Sequence, residues 1–517
     1  MADQIPAALA ATARVWSPQQ LAVFSTFLAA LPAGVTVRPG ARHVIVRARA
    51  GTGKTSTMVE LVHRVVAKWG RKVSIVACSF GRKIADELIK RMPVGVNCNS
   101  LHGLGFGCQN ALRRTRLDKG KDQRMAETAC DRSTPKDVIK VVEKLAALGK
   151  DCAPLAQGAD DLEQLQLDYD LIGVEDDISE MYTPEWIRVR AYRAMLLALE
   201  FDGTCSYSDM VYVTVRLGLA KPLYDMVLVD EAQDMNAGQL LLATMLCKPN
   251  GRIVIIGDDR QGIFGFRGAD SSSLDRLKAE LNADELGLTI TYRCPKAVVA
   301  LAQQLVPDFC AADDAPEGIV DDIAPDKLVR TAQPGDFVLS RTNAPLVTTC
   351  LRFAAHGVPA RVSGRNVGLG LVNLIGKAHA RTLDEVETYL AKWADKQMSR
   401  CAKLSDAGAE KLAEEVEDKV EALKAIIGEV DSVDGLIAKI ESLFSDDESV
   451  PAVVLSTVHR AKGLEAQHVF LLESSFRPSD DLEEQNIRYV AITRAMHHLT
   501  LVGERPAPKS YRSTYEE

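Results

Sequence analysis

The stretch HVIVRARAGTGKTSTMVELVHRVV, residues 43–66, decides the fold. It opens on the apolar run Val44-Ile45-Val46, the pattern of a strand buried on both faces. Small residues follow, and Gly51, Gly53, Lys54 and Thr55 close the turn. The next segment, STMVELVHRVV, is helical in period. A strand, a glycine-rich turn and a helix in that order point backbone N–H groups and a helix N-terminus at one spot. That geometry suits a phosphate, with a lysine for the β/γ oxygens and a Ser/Thr hydroxyl for Mg²⁺. The strict G-x-x-x-x-G-K spacing has Ala48 at its first position, so this stretch alone leaves an ordinary loop open as an alternative.

Working outward, the chain has 517 residues, enough for about two to four domains. Apolar residues are 47% and charged residues 26%, an ordinary globular balance. The net charge of −8 excludes a uniformly basic nucleic-acid coat but allows a local basic channel. The first residues lack a basic segment followed by an apolar core, so no signal peptide is expected. No apolar run is long enough to span a bilayer, so no membrane partner is expected. The eleven cysteines are scattered without a CxxC pair. They predict reduced thiols and a cytoplasmic setting rather than a zinc ribbon.

Strands alternate with helical patterns in two regions. RHVIVRA, KVSIVACSF, YDMVLVDEAQD and GRIVIIGDD fall in the first; GDFVLSRTN, PAVVLSTVH, QHVFLLE and HLTLVG fall in the second. Near-continuous Val/Ile/Leu strands separated by helices predict parallel sheets covered on both faces. The expectation is an α/β chain of two such domains, each interrupted by a mostly helical insertion. The first domain takes residues 1–106 and 200–285, with its insertion at 107–199. The second takes 286–365 and 449–517, with a short insertion at 366–448. Within the latter, Leu412, Val416, Val420, Leu423 and Ile427 recur at helical spacing.

LVDEAQD places Asp230 and Glu231 at the end of an apolar strand. Paired carboxylates there can hold Mg²⁺ and polarise a water; a solvated acidic turn is the plainer alternative. Further segments then follow in a fixed order: WSPQQ (16–20), ARAGTGKTS (48–56), CSFGRKIADEL (78–88), NSLHGLGF (99–106), VDEAQD (229–234), GDDRQGIFGFRGAD (257–270), TYRCP (291–295), STVHRAKGLE (456–465) and IRYVAITRA (487–495). Together these resemble the motif series of superfamily 1 helicases of the UvrD/PcrA/Rep type, over about residues 16 to 500. That family commonly has Ala at the first P-loop position, as here. The resemblance implies two RecA-like motor domains, ATP and Mg²⁺ as cofactors, and 3′-to-5′ movement on single-stranded DNA and at single-strand/duplex junctions. An unidentified replication or repair protein is a candidate partner.

By that resemblance, Gln20 reads adenine and Ala50, Gly51, Thr52, Gly53, Lys54, Thr55 and Ser56 cradle the phosphates. Thr55 and Asp230 ligate Mg²⁺, Glu231 is the base, and Gln261 senses the γ-phosphate. Arg293 and Arg494 neutralise transition-state charge, Tyr292 stacks on adenine, and Glu465 contacts the ribose. Ser79, Phe80, Arg82, His102, Phe264, Phe266, Arg267 and His459 line the nucleic-acid strand. Phe264 and Phe266, two apart among glycines in a chain only 5% aromatic, also read independently as a base-stacking loop, or as core. The basic run RRTRLDKGKDQR (113–124) is either a duplex contact or a solvated helix face. Arg260 and Arg460 depart from the family pattern, and Phe266 stands where a larger ring is usual. A strand-clearing translocase with weak unwinding, a P-loop phosphotransferase and a non-catalytic binding subunit are the competing readings. The last two fit poorly with a second α/β domain and an intact Lys54, Glu231 and Arg494.

Overall fold

The computed structural model describes residues 15–30, 43–169, 171, 181–200, 202–263, 273–401, 406–444, 449–476 and 478–504. Two six-stranded parallel sheets carry the architecture. The first holds β1 (Val44–Ala48), β2 (Ile75–Ser79), β3 (Asn97–Ser100), β4 (Tyr224–Val229), β5 (Cys247–Gly257) and β6 (Asp284–Leu288), ordered β3-β2-β4-β5-β1-β6. The second holds β7 (Ile319–Ile323), β8 (Phe337–Ser340), β9 (Ala360–Val362), β10 (Val453–Thr457), β11 (Ala466–Leu472) and β12 (Ala495–Val502), ordered β7-β12-β11-β8-β10-β9. The fold is therefore α/β with parallel sheets. The eight strands named from sequence are the eight inner ones. The four not named, NCNS, DELGL, IVDDI and ARV, are the four edges. An edge strand is covered less completely, so it need not be a run of Val, Ile and Leu.

Alternation along β1 shows why the inner strands are so apolar. Val44, Val46 and Ala48 pack with Val23, Phe24, Leu61 and Val65 on one face. Ile45 points the other way, into a core with Leu101, Leu104, Val211, Leu240 and Leu274. Register is set by pairs such as Val44 with Val254 and with Asp284.

The first insertion folds as helices Lys121–Ala129, Lys136–Cys152, Glu163–Asp168 and Pro184–Leu197. Its core includes Val142, Leu145, Ile187 and Met195, joined by Tyr212 and Val213 from helix Tyr207–Arg216. Val211 and Val215 of that same helix lie in the first sheet's core, so one helix serves both bodies. The helix Leu101–Leu112 runs unbroken through residue 106. Beside this junction sits a buried ionic knot. Asp209, fully buried, bonds Lys150 Nζ at 2.8 Å and Lys121 Nζ at 3.1 Å, and Lys150 also reaches Asp122 at 2.6 Å. Lys121 was expected on the basic run's surface. It is instead buried, donating to the carbonyl of Thr204, while Arg124 pairs with Asp118.

The second insertion is a layer on the second sheet rather than a separate body. Leu371, Ile375, Leu423, Ile426, Leu436 and Ile440 share one core with Val338, Leu455, Phe470 and Val502 of the strands. Of the apolar series in helix Asp406–Ile427, Val416, Leu423 and Ile427 are buried, while Leu412 and Val420 are half-buried. Asp418 of this helix accepts from the amide of Ala344 and the side chain of Asn343, capping helix Ala344–Ala355 from outside its own chain segment. Among the described residues no helix is long and apolar enough to cross a membrane.

Asp209→Asn should destabilise the junction by about 3–5 kcal/mol, because it removes the fully buried carboxylate shared by two buried ammonium groups and leaves only the more exposed Asp122 and Asp202 to pair with them. Burial raises the Asp209 pKa, but Lys150 and Lys121 outweigh it and hold the carboxyl below its usual value. A depressed carboxylate gives stability that is present above the unfolded value of about pH 4 and is lost as pH falls through the folded pKa. Denaturant titrations of wild type and variant at pH 7 and below pH 4 test this. The wild-type advantage should shrink in acid.

Candidate active site

Three strands that are neighbours in the first sheet, β4, β5 and β1, end at one rim. They carry there the carboxylates 230–231, the segment 258–261 and the glycine-rich turn. Ligands of open parallel sheets gather at such carboxyl ends. The turn has Gly51 at φ +69° and Gly53 at φ +79°, backbone values that disfavour any side chain. Gly53 precedes helix Lys54–Trp69, which has no side-chain cap and no acidic residue in its first turn. Its leading amides are thus available to an anion. Gln20 is buried against the turn, donating to Thr57 Oγ1 at 3.1 Å and to Thr52 O at 3.4 Å. Ser56 Oγ accepts from Arg91 at 3.0 Å.

Thr55 Oγ1 donates to Asp230 Oδ2 at 2.9 Å, a hydroxyl–carboxylate pair that fits Mg²⁺. Lys54 Nζ lies 3.8 Å from Glu231 Oε2, and Gln233 donates to the same oxygen at 2.6 Å. Burial and the Glu231 charge push Asp230 up to about 7. Burial also works against the Glu231 charge, but Lys54, Gln233, Lys462 and Arg494 outweigh it and hold that carboxyl below its ordinary value. Glu231 has φ +53°, a left-handed backbone that costs a non-glycine residue about 1–3 kcal/mol and marks functional positions. Gln261 is buried, its side chain donating to Asp258 Oδ2 at 2.6 Å.

From the second domain come the arginines. Arg494 is fully buried, donating to Val490 O at 3.0 Å and Leu464 O at 3.1 Å. Among the described residues it forms no ion pair. Burial and the nearby Arg293 lower its pKa to about 10, so it stays charged at neutral pH. Arg293 is not a lone cation: its Nε lies 2.5 Å from Glu465 Oε2, so the residue expected at the ribose is engaged with this arginine. Tyr292 is 47% exposed, open to stack on a ring.

The strand-facing set is mixed. Ser79 is buried and donates to Gly81 O at 3.0 Å, so its hydroxyl does not face a channel. Phe80 packs half-buried against the first core, and Arg82 is exposed. His102 Nδ1 meets Gln239 Nε2 at 3.4 Å, and burial lowers its pKa. Burial, then Arg341, Lys462 and Lys411, lower His459 to about 4, leaving a neutral ring among cations. Phe264, Phe266 and Arg267 lie outside the described residues.

Four residues inside the quoted motifs went unassigned, and their contacts show what they do. Lys462 donates to Asp234 Oδ1 and Gln261 O across the cleft. Gln233 links Glu231 to the amide of Asp258. Arg49 and Tyr489 tie the glycine-rich turn to the second domain. Their place within motifs was the available signal. The two departures are also anchored: Arg260 donates to Leu305 O at 2.9 Å, and Arg460 packs on Gly364.

Comparison with known proteins agrees with this geometry. Residues 34–282 match the UvrD/REP helicase N-terminal domain, and residues 452–502 match the UvrD-like helicase C-terminal domain. The chain is 25% identical to F-box DNA helicase 1 of Gallus gallus over 89% of its own length and 48% of that protein. It is 24% identical to DNA helicase II of Haemophilus influenzae and 26% identical to that of Escherichia coli, each over 51% of this chain and 38% of the relative. The chain thus spans about half or less of these relatives. Two family domains matched in order, on two parallel sheets, establish that the chain belongs to the UvrD-type superfamily 1 helicases.

Proposed function

We propose that this protein is an ATP-dependent DNA helicase and single-stranded DNA translocase, moving 3′ to 5′ and hydrolysing ATP between its two sheets. The observation that carries the reading is Arg494, a fully buried guanidinium that forms no ion pair among the described residues, the nearby Glu465 being paired with Arg293. It sits near enough to Glu231 that its charge favours the carboxylate there. A buried cation left unpaired costs several kcal/mol, a cost a phosphoryl group in the cleft would offset.

Each residue then has a physical task. The amides of Gly51–Thr55 and the Lys54 ammonium bind the phosphates. Thr55 and Asp230 suit Mg²⁺, which when bound would neutralise charge on the β and γ oxygens. Glu231, ionised at neutral pH, accepts a proton from the attacking water. Arg494 and Arg293 offset charge that grows in the transition state. Nucleotide bridging both domains favours their closed arrangement, and turnover releases it, which can ratchet a strand lying across both. The direction of travel rests on the family resemblance of the segment 257–270. The names of the relatives, DNA helicase II and F-box DNA helicase 1, support DNA as the substrate.

Glu231→Gln should retain binding of a fluorescent ATP analogue and lose phosphate release, since an amide cannot take the water's proton. Near-normal turnover would remove Glu231 from the base role. Arg494→Ala should slow single-strand-stimulated hydrolysis by about 10³; a severalfold loss would place Arg494 outside the chemistry. Strand displacement on duplexes bearing one tail should proceed from the 3′ tail, require ATP and Mg²⁺, and weaken as salt screens phosphate contacts. Displacement from 5′ tails alone would reverse the assigned direction.

A further inference from the structure

Three consecutive residues of the glycine-rich turn are each held by groups beyond the first sheet. The Arg49 guanidinium forks Asp308, with Nε 3.0 Å from Oδ1 and Nη2 3.0 Å from Oδ2. The Ala50 amide donates to the Tyr489 hydroxyl at 3.0 Å. The Ala50 side chain is buried in the core formed by Val298, Phe309, Val490 and Leu499 of the second domain. The Gly51 carbonyl accepts from the Tyr292 amide at 2.9 Å. This last approach is so close that a Cβ on Gly51 would lie 2.5 Å from Thr291 Oγ1 and 2.6 Å from Arg293 Cβ.

The holding groups are themselves connected. Phe309, next to Asp308, packs edge-on to the Tyr489 ring with centroids 5.5 Å apart. Tyr489 lies in helix Leu482–Ile492, and Arg494 just beyond that helix donates back to Val490 O. Arg49 also reaches the end of β5, with Nη1 2.8 Å from Asp259 and 3.3 Å from Asp258, the carboxylate that receives Gln261. The turn, the Gln261 segment and the helix end bearing Arg494 thus meet through Arg49 and Tyr489.

We propose that Arg49, Asp308 and Tyr489 form a clasp that sets the position of the phosphate-facing turn relative to Arg494, making them positioning residues for hydrolysis. The inference rests on the ATPase reading above. The groups that would bind nucleotide, Lys54 and the amides of Gly51–Thr55, belong to the first domain, where Gln20 and Asp230 hold Thr52 and Thr55 by contacts outside the clasp. Alignment with the arginine runs through the clasp. A misplacement of about 1 Å at a reacting centre costs about a hundredfold in rate. Loss of the clasp therefore lowers kcat and spares nucleotide affinity.

The test uses the full chain with Tyr489→Phe, which keeps the ring against Phe309 and removes only the hydroxyl, and Asp308→Ala, at a half-exposed carboxylate. Asp308→Glu is the conservative control. The expected result is a kcat lowered about ten- to a hundredfold, with affinity for a fluorescent ATP analogue within about threefold of wild type. Asp308→Glu should recover part of the loss. On an Arg494→Ala background, Tyr489→Phe should add less than about twofold, since the group being positioned is gone. Amide hydrogen exchange of the peptide spanning the turn should quicken in Tyr489→Phe and Asp308→Ala, a readout that needs no turnover. Wild-type kcat in both variants, losses that multiply on the Arg494→Ala background, or unchanged exchange would overturn the clasp. Absence of turnover in the wild-type chain would instead overturn the ATPase reading.

Discussion

Arg494 is a cation taken wholly out of water, and the centre of the molecule is arranged around it. Its guanidinium is satisfied by carbonyls of its own neighbourhood, which supply hydrogen bonds but no opposite charge. Negative charge near it comes from Glu465, which itself pairs with Arg293, and Arg494 in turn helps Lys54, Gln233 and Lys462 hold Glu231 in the first domain below its usual value. Electrostatics in a buried site falls off much less than in water. The two sheets are therefore coupled by charge before any ligand chemistry is considered. Lys462 strengthens the coupling by donating both to Asp234 and to the carbonyl of Gln261.

That coupling requires stiff bodies on either side of the cleft. The first sheet gains stiffness from helix Tyr207–Arg216, whose residues feed the cores of both sheet and insertion, and from the Asp209–Lys121–Lys150 knot beside it. The second sheet gains it from the helical layer that shares its core and caps helix Ala344–Ala355 through Asp418. The two bodies meet at a seam made by the turn, the 258–261 segment and the arginines. A seam made of hydrogen bonds and ion pairs can have discrete arrangements. The buried apolar layers on either side are close-packed and do not deform gradually.

Much of this was written in the order of residues. Residues 43–66 pointed to a strand, a glycine-rich turn and a helix, because an apolar run, clustered glycines and a helical period follow one another there; the positive φ at Gly51 and Gly53 and the uncapped helix start are what the structure adds. The inner strands were legible because burial on both faces demands an unbroken Val/Ile/Leu run. The edge strands were not, because a sequence such as NCNS or IVDDI becomes a strand only when a neighbour offers it hydrogen bonds. The motif series pointed to the family.

Tertiary structure alone decided which of those residues act together. The resemblance puts Ser79 on the nucleic-acid strand and the basic run puts Lys121 at the surface, yet both are buried, since sequence periodicity cannot say which turn of chain will cover a polar atom. Glu465 was read as a sugar contact and sits on Arg293. Nothing in the order of residues links Arg49 with Asp308, or Ala50 with Tyr489, because these pairs lie hundreds of positions apart along the chain. Local sequence fixes backbone conformation through sterics and burial pattern. The pairing of charges and amides across a cleft depends on how two separately folded sheets meet.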